Sequence, residues 1–296
     1  MIENIRNYLK KRIPSSGNTF NCELPKLENE VTKFSPKIII NFGVPLAEHC
    51  NLRCCGCDHF APLAEHEFAD VDVFENDFAR LSYLVDGKAE KIGLMGGEPL
   101  LHPQVKDFLY IARKHFRKTK IRIVTNGILL LKQKDDFWEA CKDNNIIVEV
   151  TKYPINLNFD KMKNVADSNG VSLTFYDNSN EVQKTSNHIP LDLDGGQDIR
   201  RNFMKCYHAN NTIFMKKGRL YTCTIAPNIC HFNKYFHMDL PTSAGDSINI
   251  YKAQSAQEIF EFLSNPIPFC RYCYVDQRTF GIPWKRSSKD IKEWTV

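Results

Sequence analysis

Residues 49–57 read HCNLRCCGC, a stretch in which three cysteines follow the spacing C-x-x-x-C-x-x-C. These are Cys50, Cys54 and Cys57, and a fourth, Cys55, lies between two of them. A loop this short can bring three thiolates onto one face of a small metal centre, and soft thiolates select zinc, copper(I) or iron–sulfur clusters. Three ligands are one fewer than the four cysteines that usually hold a [4Fe–4S] cluster. One iron of such a cluster would be free to bind a substrate or a cofactor.

A structural zinc site is the alternative for this loop. Zinc needs a fourth ligand, which Cys55, His49, His59 or a distant cysteine could supply. Two features favour the cluster: the loop follows the first strand of a strand–helix series, and residues 96–99, with the sequence GGEP, end the next predicted strand. Glycines in such a turn let the backbone approach a ligand closely, and their carbonyls can accept hydrogen bonds from an ammonium group.

The composition is that of an ordinary globular protein with an unusual number of cysteines. Among the 296 residues 43% are hydrophobic and 25% are charged, and the net charge is +4. No run of 18 apolar residues occurs, and the first residues lack the apolar stretch of a signal peptide. Eleven cysteines in a reducing compartment indicate metal binding or catalysis rather than disulfides. We therefore expect a cytoplasmic protein with neither nucleic acid nor membrane as a partner.

From residue 37 onward, apolar strand-like runs alternate with helical patterns. The predicted strands lie at 38–42, 91–95, 121–124, 146–150 and 171–175, and the predicted helices at 73–85, 103–116, 134–144 and 159–168. Repeated βα units predict an α/β fold with a parallel sheet and helices outside it. In such sheets the chemistry lies at the carboxyl ends of the strands, which is where the cysteine loop and the GGEP turn fall.

The cysteine loop, followed about forty residues later by the GGEP turn, resembles the radical S-adenosylmethionine (radical SAM) superfamily. The resemblance implies a partial (β/α)6 barrel and a [4Fe–4S] cluster whose open iron chelates the amino and carboxylate groups of SAM. It implies that an electron from this cluster breaks a carbon–sulfur bond, and that the 5′-deoxyadenosyl radical takes a hydrogen atom from a substrate. It also implies that the turn formed by Gly96, Gly97, Glu98 and Pro99 receives the SAM amino group.

Other contacts to SAM are expected at neighbouring strand ends. Thr125, Asn126 and Thr151 are polar where the ribose and carboxylate of SAM need partners, although Asn126 and the glycine after it also form an ordinary turn pattern. The family usually has an aromatic residue just before the third cysteine, near the adenine, and this chain has Gly56 there. We expect Phe60 or His59 to take over that contact.

A second group of cysteines, Cys206, Cys223, Cys270 and Cys273, resembles the auxiliary-cluster region called the twitch domain, a shortened SPASM domain. Four thiolates would saturate a second [4Fe–4S] cluster, which suits electron transfer, and a zinc site with four cysteine ligands is the alternative. Cys230 could replace a ligand, donate a hydrogen atom, or be buried. The expected segments are an N-terminal helix and arm (1–36), the radical SAM barrel (37–180), a bridging segment (181–205) and the twitch-like domain with a tail (206–296).

The size and cysteine layout resemble those of aminocyclitol dehydrogenases with a twitch domain. This implies hydrogen abstraction from a polar small molecule (a sugar, nucleotide-sugar or aminocyclitol), its oxidation with the auxiliary cluster as electron acceptor, and a donor such as flavodoxin or ferredoxin. We expect catalytic roles for Lys152, His59 and Cys230. Further candidate bases or anchoring groups are Asp58, Tyr153, Arg200, Arg201 and His208.

Three other functions stay open. A sugar or aminocyclitol epimerase would use the same radical and return a hydrogen atom from a thiol such as Cys230. A peptide-modifying maturase would share the auxiliary domain, but the first 36 residues are too short for the leader-binding domain that often accompanies it. A non-catalytic iron–sulfur or zinc protein could share the cysteines without needing the GGEP turn.

Overall fold

The computed structural model describes residues 39–176, 185–209 and 211–296. The predicted helix and arm at 1–36 lie outside the described residues. The described residues all belong to one compact unit. No helix in the described part of the chain combines the length and the apolar character that crossing a bilayer requires.

Five parallel strands form the first part of the sheet, in the order β5-β4-β3-β2-β1. They are β1 (Ile39–Ala47), β2 (Ala89–Gly96), β3 (Lys120–Thr125), β4 (Ile147–Val150) and β5 (Leu173–Phe175). The connecting helices are α1 (Val71–Leu84), α2 (Val105–His115), α3 (Asp135–Asp143) and α4 (Phe159–Ser168). The apolar runs of the strands and one apolar face of each helix form a single buried core. The predicted α/β fold with a parallel sheet is confirmed.

The sheet continues with strands from the C-terminal part of the chain. Strand β7 (Ile213–Lys216) pairs in parallel with β1, and β8 (Arg219–Tyr221) and β9 (Ile248–Asn249) follow in antiparallel order. The sixth parallel strand of the described sheet therefore lies beside β1 rather than beyond β5. Strands of the predicted second domain thus extend the sheet of the predicted first domain. The predicted domain boundary at residue 206 stays a prediction.

The rest of the C-terminal region is built from short elements. It contains three helices, α5 (Ile199–Lys205), α6 (Ile229–Phe236) and α7 (Ala256–Leu263). It also contains a two-stranded antiparallel ribbon, formed by β6 (Thr185–His188) and β10 (Thr279–Pro283). The turn at residues 217–218 joins β7 and β8 into a hairpin, and Ser255 caps the N-terminus of α7.

A second core joins the C-terminal region to the residues that follow the cysteine loop. Phe60 is only 1% exposed, and its ring packs against Phe232 and Trp294 at centroid distances of 5.7 and 6.1 Å. The ring of Phe60 is thus packed inside this core, and its expected contact with adenine stays a prediction. The cysteine loop therefore connects the first core, which includes Leu46, to the second core, which includes Phe60.

Candidate metal and cofactor site

The three cysteines of the loop lie together at the carboxyl end of β1. Burial raises the pKa of Cys50, with smaller contributions from Glu98, Cys57 and Cys54. Burial also raises the pKa of Cys57 to about 12, and Cys54 adds to this shift. The surroundings of Cys50 and Cys57 therefore disfavour thiolates that have no partner. A cationic metal centre would keep the bound thiols deprotonated, so a site that gathers three thiols suits such a centre. Among the described residues, no three Cys, His, Asp or Glu side chains lie close enough to hold a single metal ion. The agreement between this site and a [4Fe–4S] cluster therefore rests on the chemistry of the three thiols.

The glycines of the GGEP turn are required by close packing against the chain that enters the cysteine loop. Gly97 N–H donates to Ala47 O at 2.7 Å, and Glu98 N–H donates to His49 O at 3.1 Å. A Cβ at Gly97 would lie 2.1 Å from His49 O, and one at Gly96 would lie 2.3 Å from Ala47 O. These contacts fix the turn and the cysteine loop relative to each other. The predicted contact of the turn with the SAM amino group stays a prediction.

The Glu98 carboxylate joins the ends of β2 and β3. It accepts hydrogen bonds from Thr125 Oγ1 at 2.7 Å, from Asn126 N–H at 2.9 Å and from Leu100 N–H at 3.1 Å. Burial raises the pKa of Glu98 to about 7, and the three donors oppose this shift. Thr125 Oγ1 also accepts from Gly127 N–H at 3.0 Å. The side chains of Glu98 and Thr125 thus bind each other, which leaves the backbone of the turn as the part available to a ligand.

Asn126 connects the end of β3 to the cysteine loop. Its Nδ2 donates to Asn51 Oδ1 at 2.7 Å and contacts Cys50 Sγ at 3.6 Å. At the next strand, Thr151 N–H donates to Thr125 O at 2.9 Å. The polar residues expected at successive strand ends therefore meet at one edge of the sheet. Their direct contacts to SAM remain predictions.

The residues after β4 reach the loop from the other side. Tyr153 forms a hydrogen bond with the Cys54 side chain, and burial, followed by the nearby thiols, raises the tyrosine pKa well above its ordinary value. Lys152 Nζ lies 4.3 Å from the centre of the Phe175 ring. A residue that sequence analysis missed, Trp284, donates from Nε1 to Cys54 Sγ at 3.1 Å. Nothing in the spacing of the sequence signals this contact.

Residues 284–287 of the C-terminal tail run along the cysteine loop. Cys55 N–H donates to Lys285 O at 3.0 Å, and Ser287 N–H donates to Arg53 O at 2.9 Å. These are backbone bonds, so no side-chain pattern could have predicted them. The tail forms part of the wall of the site.

The end of the tail explains why glycine stands before the third cysteine. Gly56 has φ +62°, and a Cβ there would lie 3.2 Å from Glu293 O and 3.4 Å from the His188 ring. Trp294 Nε1 donates to Cys57 O at 3.0 Å in the same region. The left-handed backbone and the nearby tail favour glycine over the expected aromatic residue.

The second cysteine group is also assembled. Burial raises the pKa of Cys273 well above its ordinary value, and Cys223, Cys206 and Cys270 contribute to this shift. Burial likewise raises the pKa of Cys223 to about 12 and that of Cys270 to about 11. Asn202 Nδ2 donates to the carbonyls of Cys270, at 2.8 Å, and Cys273. Four thiols that influence one another's pKa provide the four donors that a saturated [4Fe–4S] cluster needs.

Asp58 and His208 lie between the two cysteine groups. Asp58 Oδ2 and His208 Nε2 are 3.0 Å apart. Burial favours the neutral acid, but the charge of His208 and its hydrogen bond outweigh this and lower the pKa of Asp58. Asp58 in turn contributes to the raised pKa of both Cys57 and Cys273. The pair is therefore close to both candidate metal sites.

A buried cluster around Glu48, which sequence analysis missed, ties β1 to the C-terminal region. Glu48 Oε2 accepts from Lys216 Nζ and His231 Nε2, both at 2.8 Å. Burial favours the neutral acid, yet these two partners lower the pKa of Glu48 to about 2. His59 lies nearby, its ring 5.2 Å from that of Phe214, and burial lowers its pKa to about 4.

Three of the predicted residues lie at the surface. Cys230 is exposed on α6, so the alternative that it is buried is wrong. Arg200 and Arg201 are exposed on α5, and Arg201 forms a surface ion pair with Asp276 at 2.7 Å. Arg201 is thus paired with Asp276 at the surface, and the roles of Arg200 and Arg201 as anchoring groups stay predictions.

The parallel sheet and the thiols at its carboxyl edge define a protein with a sulfur-ligated cofactor site. Residues 44–158 match the family model of the Radical SAM superfamily. The matched residues are 115 of the 296, they include the cysteine loop and the GGEP turn, and the match indicates a [4Fe–4S] cluster and SAM as cofactors. The loop at residues 49–57 supplies the three thiols that such a cluster needs.

Two curated relatives and one solved structure illustrate the extent of the similarity. A GTP 3′,8-cyclase of Chlorobaculum tepidum is 36% identical over 101 residues, which cover 34% of this chain and 29% of that protein. A GTP 3′,8-cyclase of Helicobacter pylori is 28% identical over 104 residues, which cover 35% of this chain and 32% of that protein. The chain thus spans about a third of the length of the curated relatives it matches. A crystal structure of BtrN in complex with AdoMet and 2-DOIA has a TM-score of 0.48 and 16% identity, covering 79% of this chain and 92% of that chain.

Proposed function

We propose that the chain is a radical SAM oxidoreductase that oxidises a polar small molecule, such as a sugar, a nucleotide-sugar or an aminocyclitol. The observation that carries the proposal is the presence of two thiol groups, one of three and one of four, on either side of the Asp58–His208 pair. With a cluster at each group and SAM bound, the site would supply a 5′-deoxyadenosyl radical and a one-electron acceptor. Converting an alcohol to a ketone needs both, together with a base for the hydroxyl proton.

The side chains between the thiol groups provide candidates for that base. His208 is buried, and its Nε2 lies 3.0 Å from Asp58 Oδ2, so the two side chains are close enough to exchange a proton. We propose His208 or Asp58 as the proton acceptor, and we retain His59 as a second candidate because it lies in the same buried region. Lys152, held over Phe175 at the end of β4, is proposed as an anchor for substrate oxygen atoms.

The Gly-rich turn and the strand ends would hold SAM. In this proposal the backbone of residues 96–98 accepts from the SAM amino group, and Asn126 and Thr151 face its carboxylate or ribose. Glu98 and Thr125 act by keeping the turn in place, since their side chains bind each other. Flavodoxin or ferredoxin is the proposed class of electron donor.

Anaerobic reconstitution tests the proposal. We expect about eight irons per chain, because each four-iron cluster occupies one thiol group, and release of 5′-deoxyadenosine when dithionite and SAM are added. Replacing Cys50, Cys54 and Cys57 together by alanine should abolish this release. Replacing Cys55 by alanine is the matched control and should preserve it. Zinc in place of iron, with no SAM cleavage, would refute the enzyme proposal in favour of a structural metalloprotein.

Two other functions are separable by experiment. If the enzyme is an epimerase, Cys230→Ala should abolish turnover but still allow hydrogen abstraction, whereas a dehydrogenase should be unaffected. The partial similarity to GTP 3′,8-cyclases makes a purine nucleotide the second candidate substrate. Deuterium transfer from labelled substrates into 5′-deoxyadenosine would identify the class, with peptides included to test the maturase alternative.

A further inference from the structure

We infer that Trp284, in the C-terminal tail, is a positioning residue that acts through Cys54 and raises the reduction potential of the SAM-binding cluster. Its Nε1–H donates to Cys54 Sγ at 3.1 Å. This distance is short for a bond to sulfur, and the two residues are 230 positions apart in the sequence. The inference rests on the proposed role of Cys54 as a cluster ligand.

The indole is held in place by the backbone on both sides of the contact. Immediately after Trp284, the tail pairs with the cysteine loop through Cys55 N–H to Lys285 O and through an antiparallel bridge between Cys54 and Arg286. The Trp284 ring also contacts Tyr153, at a centroid distance of 5.8 Å and an edge-to-face angle of 67°. A donor fixed in this way loses little freedom when it bonds to the sulfur.

The electrostatic effect has a definite sign. Reduction adds one negative charge to a cluster, and part of that charge resides on the ligating sulfur atoms. A fixed N–H dipole aimed at such a sulfur stabilises the reduced form more than the oxidised form. Hydrogen bonds to sulfur are among the factors that set cluster potentials, and outer groups around metal ligands tune metal sites in the same way.

Trp284→Phe removes the N–H and keeps an aromatic ring against Tyr153. At a fixed ambient reduction potential, we expect the ratio of reduced to oxidised cluster to fall by up to about tenfold in this variant. For a one-electron couple this corresponds to a reduction potential lower by about 59 mV. The control is Trp138→Phe, which removes an indole N–H from α3, where the ring packs against Phe137 in the first core. We expect this control to retain the wild-type potential.

The measurement is a redox titration followed by EPR, using the signal whose g values change when SAM is added. If no SAM-sensitive signal appears in the wild type, the proposed function fails. If the signal is present and Trp284→Phe titrates at the wild-type potential, the inference about Trp284 fails and the proposed function stands.

A second measurement needs no variant. Wild-type protein grown with tryptophan labelled with ¹⁵N in the indole ring should show a ¹⁵N hyperfine coupling in pulsed EPR of the SAM-sensitive signal. Absence of that coupling would overturn the inference even if Trp284→Phe did not fold. Its presence would locate an indole nitrogen at the cluster ligand.

Discussion

Replacing Gly97 by alanine tests the idea that the GGEP turn is held against the cysteine loop by backbone packing. The new Cβ would lie 2.1 Å from His49 O and 2.4 Å from His49 C, and both are backbone atoms that cannot rotate away. To restore ordinary contact the turn must move, which breaks the bonds from Gly97 N–H to Ala47 O and from Glu98 N–H to His49 O. Overpacking costs about 1–3 kcal/mol and each lost hydrogen bond about 1 kcal/mol.

We therefore expect Gly97→Ala to lower the free energy of unfolding by about 3–5 kcal/mol and to weaken SAM binding. Urea unfolding followed by circular dichroism gives the first quantity, and equilibrium dialysis with SAM gives the second. Gly93→Ala, on the strand β2 that leads into the turn, is the control, because a Cβ there meets its nearest atoms at 3.8 Å. It should change the stability by less than about 1 kcal/mol. Equal stability of the two variants would refute the packing argument.

Three further predictions concern the buried carboxylates and the second cysteine group. Glu98→Gln should lower the unfolding free energy by about 1–3 kcal/mol, because the amide nitrogen of Gln cannot accept a hydrogen bond and at least one of the three donors loses its partner. Glu90→Gln, at an exposed position of β2, serves as control, and equal melting temperatures would contradict the assignment. The hydrogen-bond partners of Glu48 outweigh burial and lower its pKa from 4.5 to about 2. The contribution of Glu48 to the free energy of unfolding is therefore complete above pH 4.5 and is lost as the pH falls towards 2. Glu48→Gln should remove about 3 kcal/mol of that pH dependence, measured by urea unfolding between pH 2 and 7, and an unchanged pH profile would argue against the buried ion pair. Cys273→Ala should reduce the iron content by about four per chain and leave the SAM-sensitive EPR signal intact, whereas loss of that signal would show that the two sites are not independent.

The strand–helix alternation predicted the first five strands because their patterns are local. Helix α4, for example, has two local signals. Asn158 caps its N-terminus, and Met162 and Ala166, four residues apart, form its buried face. The meeting of Cys50, Glu98 and Asn126 at one edge also follows from the parallel order of the strands. These features could be predicted without knowing any contact between distant parts of the chain.

Contacts between distant segments could not be predicted in this way. The pairing of β7 with β1 joins Phe42 to Ile213, and neither strand carries a mark that selects the other. Phe60 has the sequence position of an adenine contact, but the second core formed by Phe232 and Trp294 encloses it. Both outcomes depend on how the C-terminal region packs, which is decided by tertiary burial rather than by local pattern.

The polar residues at the strand ends show how internal hydrogen bonds and ligand contacts draw on the same residue types. A ligand at the carboxyl edge needs polar partners, but so do the strand ends themselves, because their buried donors and acceptors must be paired. Thr125 serves the second need, since its hydroxyl donates to Glu98. Asn126 donates to Asn51 and contacts Cys50, so it holds the thiol loop whether or not it also touches SAM. The same residue types in the same positions thus build the rim of the site, and only the pairing of each side chain distinguishes a residue that binds a ligand from one that supports the binding surface.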